Sequence, residues 1–214
     1  MTGGAGMPRI VEKVDLKKRM KPYWQPTAGK FEIISVPKLR FVKIDGMGDP
    51  NVAEDYRRAV EWLYGLSYAL KFMSKGDLAL DYPVAPLEGL WWARDMRHFA
   101  ELEKDKWLWT AMIMQPEWIT EAMFAKAVKA TTAKLGDPPP SLRFEDFEEG
   151  LSVQTLHIGP YADETATIKR LHEEFLPAHG LTETGHHHEI YIGDPRRSAP
   201  EKLKTVIRQP VRKL

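Results

Sequence analysis

Apolar residues recur at every third or fourth position in three stretches of the chain, and this spacing is typical of amphipathic helices. The stretches run from residue 51 to about 75, from 120 to 135 and from 162 to 180. The turn sequence GMGDPN precedes the first stretch, and the Pro-rich GDPPP at 136–140 ends the second. Glycine permits unusual backbone angles and proline lacks an amide hydrogen, so both runs interrupt regular structure. We therefore predict three helices, with GDPPP as the best candidate boundary within the chain.

The segments between the helices are rich in β-branched and aromatic residues, which favour strands. We predict strands at 31–36, 39–45, 78–84, 87–92, 107–116, 151–160, 188–194 and 203–211. The order strand, helix, strand, strand occurs twice, and each copy closes on a related tetrapeptide, IMQP at 113–116 and IRQP at 207–210. This pattern predicts an internal duplication, with repeats at about 39–116 and 151–211.

Two such βαββ units predict an α+β fold in which two helices pack on one face of a largely antiparallel sheet. The opposite face and the seam between the repeats are then available for a ligand groove. Residues 1–30 are rich in Lys, Pro and Gly and have no sustained periodicity. We predict that they form a loosely attached N-terminal arm, anchored by Tyr23 and Trp24, and that the compact domain spans 31–214.

Charge and composition narrow the class of protein. The chain has 214 residues, with 31 Lys and Arg against 30 Asp and Glu, and a net charge of +1. A balanced charge gives no electrostatic reason to bind nucleic acid or an acidic membrane. Cysteine is absent, which excludes disulfides and Cys nucleophiles. No run reaches the roughly 20 apolar residues that span a bilayer, so we expect a cytoplasmic protein without a membrane segment.

The most informative strand is HEIYIGD at 188–194. Strand alternation puts Glu189 and Tyr191 on one face and sends Ile190 and Ile192 to the other, which we assign to the core under the helices. If the first face lines a groove, a carboxylate lies beside a phenol and the pair could attract a cation, bind a polar ligand or act as base and acid. The alternative is a solvated sheet face covered by Tyr191.

Five tryptophans fall between positions 91 and 118. Flat rings on one side of a sheet form a wall for a planar, apolar or cationic ligand, although tryptophans also serve as core residues. Tyrosines of the first helix could add hydroxyl groups to the same space, and helix packing is their alternative role. The predicted ligand-binding residues are Trp91, Trp107, Trp109, Tyr64 and Tyr68.

The remaining motifs do not indicate a metal site, a nucleotide-binding site or a serine nucleophile. His186 and His188 would share a strand face, but no third ligand follows at a recognisable spacing, so we interpret the triplet as a turn leading into a strand and predict no metal. GMGDPN lacks both the Lys-Ser/Thr of a phosphate-binding loop and the full dinucleotide fingerprint. No GxSxG motif is present. We predict no cofactor.

Three segments together resemble the GyrI-like small-molecule-binding proteins: GHHHEIYIGDPRRSAPEKLKTVIRQPV at 185–211, IDGMGDPN at 44–51 and WLWTAMIMQP at 107–116. The resemblance implies duplicated βαββ units about a pseudo-twofold axis, with two helices against a curved sheet and a central ligand groove. In regulators of this family, a groove carboxylate and aromatic rings receive lipophilic cations, and Glu189 occupies the matching position. The chain lacks a helix-turn-helix, so direct binding to nucleic acid is not expected.

Stand-alone members of the family include cyclopropanoid cyclopropyl hydrolases, which detoxify DNA-alkylating natural products. This resemblance implies that Trp91, Trp107 and Trp109 enclose a planar substrate, that Glu189 accepts a proton from the attacking water, and that Tyr191 positions this water or donates a hydrogen bond. Two alternatives follow from the family. One is a module that sequesters planar cations without turnover, and the other is an inhibitor of a partner enzyme such as a topoisomerase. The oligomeric state stays open.

Overall fold

A computed structural model describes residues 10–95, 103–194 and 197–214. The strands are β1 (Glu12–Lys13), β2 (Glu32–Met47), β3 (Leu80–Asp81), β4 (Leu87–Ala93), β5 (Trp107–Gln115), β6 (Arg143–Ile158), β7 (Leu181–Glu183), β8 (His187–Tyr191) and β9 (Lys204–Lys213). The helices are α1 (Leu16–Arg19), α2 (Lys21–Trp24), α3 (Glu54–Met73), α4 (Glu121–Leu135), α5 (Glu164–Arg170) and α6 (Leu176–Ala178). A π-helical turn, Leu171–Phe175, joins α5 to α6 without a break. All three predicted helices are therefore confirmed.

Six antiparallel strands form a closed, curved sheet in the order β6-β2-β5-β4-β8-β9, and pairing of β9 with β6 completes the ring. The long strands β2 and β6 make this closure possible, because each pairs with the other along one part and with a strand of its own repeat along another. β7 extends the sheet beyond β9, while β1 and β3 form a separate parallel pair.

The duplication predicted from the sequence is present in the topology. β2, α3, β4 and β5 form the first unit, and β6, the α5–α6 segment, β8 and β9 form the second. Gln115 and Gln209 lie near the ends of equivalent strands, β5 and β9. The central strands β4 and β8 pair across the pseudo-twofold axis, with Gly89 opposite Glu189 and Leu87 opposite Tyr191.

Four strand predictions need correction. Residues 31–36 and 39–45 belong to the single strand β2, because the pairs on either side of Pro37 keep one register and the missing amide hydrogen interrupts only one position. β6 begins at Arg143, eight residues before the predicted start, where charged residues obscure the alternation. Most of 78–84 is not a strand, because α3 continues into a π-helical turn that ends at Ala79 in a left-handed conformation.

Helix α3 forms over one side of the sheet because its apolar residues share one face. Glu54 and Asp55 lie in its first turn, where negative charge favours the helix dipole. The buried face carries Trp62, Leu63, Leu66 and Leu70, all fully buried against the sheet and α4. A smaller core, which includes Leu171, Leu176 and Ile207, lies under the second repeat's helical segment.

The N-terminal segment is more tightly packed than the sequence indicated. Leu16 and Trp24 are buried in the main core, so the described part of this segment, residues 10–30, is not loosely attached. The Arg208 guanidinium donates a hydrogen bond to the carbonyl oxygen of Tyr23 at 2.6 Å, and the Gln154 amide donates to that of Pro22 at 2.7 Å. Within the described ranges, no helix combines the length and apolarity required to cross a membrane.

Candidate functional site

A groove of about 1490 Å³ lies between α3 and the α5–α6 segment, with β4 and β8 at its floor. Its walls come from both repeats, and the residues that line it include Tyr56, Tyr64, Trp91, Trp107, Glu164 and Glu189. The groove therefore occupies the seam between the repeats, on the face that carries the helices. Of the two predicted locations, the seam is correct and the sheet face opposite the helices is wrong. The placement of Ile190 in the core under the helices is wrong as well, because Ile190 faces the closed interior and Glu189 faces the space between the helices.

Glu189 stands at the centre of the groove floor and is held at both carboxylate oxygens. The Tyr191 hydroxyl donates a hydrogen bond to Oε2 at 2.7 Å, and His187 Nε2 lies 3.1 Å from Oε1. Trp91 Nε1 in turn donates to the Tyr191 hydroxyl at 3.1 Å. The structure thus brings Glu189 and Tyr191 together, as the alternation of the strand predicted, and leaves the Glu189 side chain 16% exposed.

Glycine at position 89 makes this arrangement possible. Gly89 faces Glu189 across the β4–β8 pairing, and the Trp91 indole folds over it. A Cβ atom at this position would lie 2.6 Å from Trp91 Nε1, well inside ordinary contact distance. The absent side chain therefore provides the room in which the indole reaches Tyr191.

The charges at the groove floor are divided between two carboxyl groups. Burial opposes ionisation of Glu189, but the hydrogen bonds from His187 and Tyr191 outweigh it and lower the pKa of Glu189 below its usual value. Burial, followed by the negative charge of Glu189, raises the pKa of Glu164 to about 9. Burial and the Glu189 charge also raise the pKa of Tyr191 well above that of an ordinary phenol. At neutral pH, the floor therefore holds an ionised Glu189, a neutral Glu164 and a neutral Tyr191.

Sequence reasoning missed Glu164, since an acidic residue in a first helical turn has a ready explanation in the helix dipole. A second signal was available. Glu164 precedes Ile168 by four positions and Leu171 by seven, which places it on the apolar face of its own helix. In the structure, Glu164 is accordingly buried with this face and is only 4% exposed.

Aromatic rings surround the carboxyl groups. The Trp91 ring lies 5.7 Å from that of Tyr56 and 5.9 Å from that of Trp107, measured between ring centroids. The Tyr161 ring packs edge-on against Tyr191 at 5.6 Å. Tyr56 and Tyr161 were not among the predicted ligand-binding residues, although Tyr56 lies on the same helix as the predicted Tyr64 and Tyr68.

Four of the five predicted aromatic residues line the groove. Trp91, Trp107 and Tyr64 lie along its walls, and Tyr68 stands at the rim with 47% of its surface exposed. Trp109 does not line the groove, and this prediction is wrong. The Trp109 side chain is only 1% exposed and packs against Gly46. Its ring also meets the Tyr56 ring edge-on, with 5.0 Å between ring centroids. Strand alternation correctly places Trp109 on the same face of β5 as Trp107, but it does not indicate that Trp109 is buried under α3.

The histidine triplet separates into three environments. His186 stacks on Trp92 with 4.1 Å between ring centroids, while His187 contacts Glu189. His188 points to the opposite side of the sheet, where its ring nitrogens lie 2.8 Å from Glu149 and 3.0 Å from Glu88. Within the described parts of the chain, no cluster of three or more His, Asp or Glu residues could hold a metal ion.

Glu149 and His188 belong to a buried charge network behind β8. Arg208 Nη1 donates a hydrogen bond to Glu149 Oε2 at 3.0 Å, while its Nε and Nη2 donate to Gln154 Oε1. Burial favours the neutral acid, but the charges of His188 and Arg208 outweigh it and lower the pKa of Glu149 to about 2. This network connects the back of the groove floor to the N-terminal segment through the contacts of Arg208 with Tyr23.

The chain matches the model of one protein family and resembles several solved structures. The model of the GyrI-like small molecule binding domain matches residues 29–212. An uncharacterized conserved protein from Listeria innocua is 37% identical, with a TM-score of 0.83 over 93% of this chain and 100% of that chain. A hydrolase from Listeria innocua is 36% identical, with a TM-score of 0.80 over 93% of this chain and 100% of that chain.

A more distant structure is similar in fold alone. The EcmrR C-terminal domain is 12% identical, with a TM-score of 0.54 over 86% of this chain and 98% of that domain. The search of curated proteins gives no match.

Proposed function

The chain belongs to the family of GyrI-like small-molecule-binding domains, and we propose that its groove binds planar hydrophobic molecules and hydrolyses cyclopropanoid DNA-alkylating toxins. The single observation that carries this proposal is the Glu189 carboxylate, held by Tyr191 and His187 at the floor of an aromatic groove. A base in such surroundings lies next to the bound ligand, where water has limited access.

Binding comes from the aromatic walls. Trp107 and Tyr64 are partly exposed to the groove, and the buried Trp91 closes it from below. Flat rings favour a flat, largely apolar ligand because stacking and burial both increase with the area of contact. A fused heteroaromatic that carries a cyclopropane conjugated to a dienone fits this description.

The reaction adds one water to the strained ring. Water oxygen forms a bond to the less hindered cyclopropyl carbon, Glu189 accepts the water proton, and the cleaved carbon–carbon bond delivers its electron pair to the dienone. The dienone becomes a phenolate, which takes a proton from solvent, and Glu189 releases the proton it accepted to solvent and is regenerated as the carboxylate. Relief of ring strain and gain of aromaticity drive the step, so a single well-placed base is sufficient help.

Tyr191 and His187 act as positioning residues. The Tyr191 proton is directed at Glu189, and its high pKa makes it a poor acid. Together with His187, it fixes the orientation of the carboxylate and keeps it ionised. The name of the Listeria hydrolase gives independent support for a hydrolytic activity in a similar chain.

The test is mass-resolved turnover of a cyclopropanoid alkylator of the CC-1065 class by the purified protein. We expect a product heavier by one water, and we expect Glu189→Gln to lower the turnover rate by about 10²–10⁴-fold, the usual contribution of a general base. Glu201→Gln is the matched control, because Glu201 is an exposed carboxylate outside the groove. Wild-type turnover by Glu189→Gln would refute the role of Glu189.

A second candidate function is sequestration of planar cations without turnover. The observation in its favour is the same carboxylate among aromatic rings, since both groups attract an organic cation. In that case the alkylator is recovered intact, and Glu189→Gln weakens cation binding. A hydrolase instead loses rate with little change in its affinity for a neutral substrate.

A further inference from the structure

The proposed hydrolysis leaves Glu164 without a role, although this residue is the second carboxyl group of the groove. It lies in the first turn of α5, lines the groove and is 4% exposed. Its carboxyl group is close enough to that of Glu189 for each to affect the pKa of the other. Its Oε1 atom is buried and finds no hydrogen-bond partner within the described ranges.

Several groups face this carboxyl pair. They are Glu189, His187 and Tyr191 of β8, Thr205 of β9, Tyr161 before α5, Lys104 before β5 and Tyr56 of α3. Their arrangement is unequal, because His187 and Tyr191 both contact the Glu189 carboxylate and stabilise its charge. Two buried carboxyl groups that are close together do not both ionise readily, so the pair holds one negative charge and one proton, and Glu164 carries the proton.

We propose that the groove exchanges this proton for an organic cation: when a planar cation binds beside Glu189, Glu164 releases its proton to solvent and both carboxylates face the ligand. The inference rests on the groove as the ligand site, as in the proposed function, and is independent of turnover. A neutral planar ligand adds no charge to compensate a second carboxylate, so it leaves the proton in place.

The size of the effect follows from the charges. A positive charge within about 4–6 Å lowers a carboxyl pKa by about 1–3 units. Starting from about 9, such a change brings the pKa of Glu164 close to neutral pH. Binding then releases a large fraction of a proton at pH 8, and the affinity for the cation rises about 3- to 10-fold per pH unit until Glu164 ionises in the free protein.

The experiment compares two probes of nearly the same shape, 10-methylacridinium, which is permanently charged, and acridine, which is neutral at pH 8. Calorimetric titrations at pH 8, in buffers with different enthalpies of ionisation, give the number of protons released on binding. We expect release with the cation, no release with acridine, and no release from Glu164→Gln, which still binds the cation. Glu201→Gln is expected to release protons as the wild type does.

Several results would overturn the inference. Cation binding without proton release by the wild type refutes it, and so does proton release that survives in Glu164→Gln. If neither probe binds, the inference fails together with the proposed ligand class. Should Glu164→Gln fail to fold, infrared difference spectra of the wild type provide the decision, because cation binding must remove the band of a protonated carboxyl group. Persistence of that band would be contrary to the proposal.

Discussion

Replacement of Gly89 by alanine sets two physical effects against each other. Glycine in a strand interior costs roughly 0.5–1 kcal/mol relative to alanine, so backbone entropy alone predicts that Gly89→Ala stabilises the protein. The structure predicts the opposite, because the new Cβ atom would lie 2.6 Å from Trp91 Nε1 and 2.9 Å from Cε2, where ordinary contact begins at 3.4 Å. The indole must move by about 1 Å, and its hydrogen bond to Tyr191 is then lost.

The expected magnitude combines these terms. Overpacking of a buried site costs about 1–3 kcal/mol, and a lost hydrogen bond costs about 1 kcal/mol. After the gain in backbone entropy, we expect the free energy of unfolding to fall by about 1–3 kcal/mol, with a decrease in melting temperature of about 2–4 °C per kcal/mol. Because Trp91 holds the Tyr191 hydroxyl, which in turn holds Glu189, turnover should decrease as well.

Urea denaturation of four variants checks this reasoning. Gly76→Ala is the control, because a Cβ atom at position 76 would meet nothing within 4 Å. Trp91→Phe removes the conflicting atoms, so Gly89→Ala should be less harmful in a Trp91→Phe background than in the wild type. An increase in stability on Gly89→Ala alone would refute the steric argument.

Three further predictions concern the core, the buried network and the proposed base. Gly46→Ala should destabilise the protein more than Gly89→Ala, because its Cβ atom would overlap the fully buried Trp109 ring; comparison of the two urea midpoints checks the order. Glu149→Gln should cost about 3–5 kcal/mol in urea denaturation at pH 7, since Arg208 then lacks its buried partner. The pKa of Glu149 is lowered from 4.5 to about 2 in the folded protein, so the wild type should lose this stability as the pH falls from about 4.5 towards 2. The variant should show no such loss, and equal pH profiles of the two proteins would contradict the prediction. The lowered pKa of Glu189 predicts a kcat/KM that stays level from about pH 7 to about pH 5 and declines only in more acidic solution, whereas a decline centred above about pH 6 would exclude it as the base.

Local periodicity was sufficient to predict the helices and the order of the repeats. The spacing of apolar residues in α3 and α4 reports directly on a buried face, and turn residues mark their ends. Closure of the sheet could not be predicted, because the pairing of β6 with β9 joins residues far apart in sequence. The charged start of β6 and the π-helical end of α3 also depend on tertiary packing.

The candidate site was predictable only in part. Period-two alternation places Glu189 and Tyr191 on one face of β8 whatever the tertiary structure, and the observed hydrogen bond agrees. Alternation carries no information on depth, which is why Trp109 was assigned to the groove wall. Glu164 comes from a distant helix, and only the packing of that helix over β8 brings the two carboxyl groups together.

Closure of the sheet also limits how the groove can change its width. The repeats are joined along two seams, by pairing of β2 with β6 and of β4 with β8. A clamshell motion of one repeat against the other would have to break backbone hydrogen bonds along both seams. Ligands of different thickness must therefore be accommodated by side-chain rotamers and by shifts of the flanking helices, while the strands under Glu189 keep their positions.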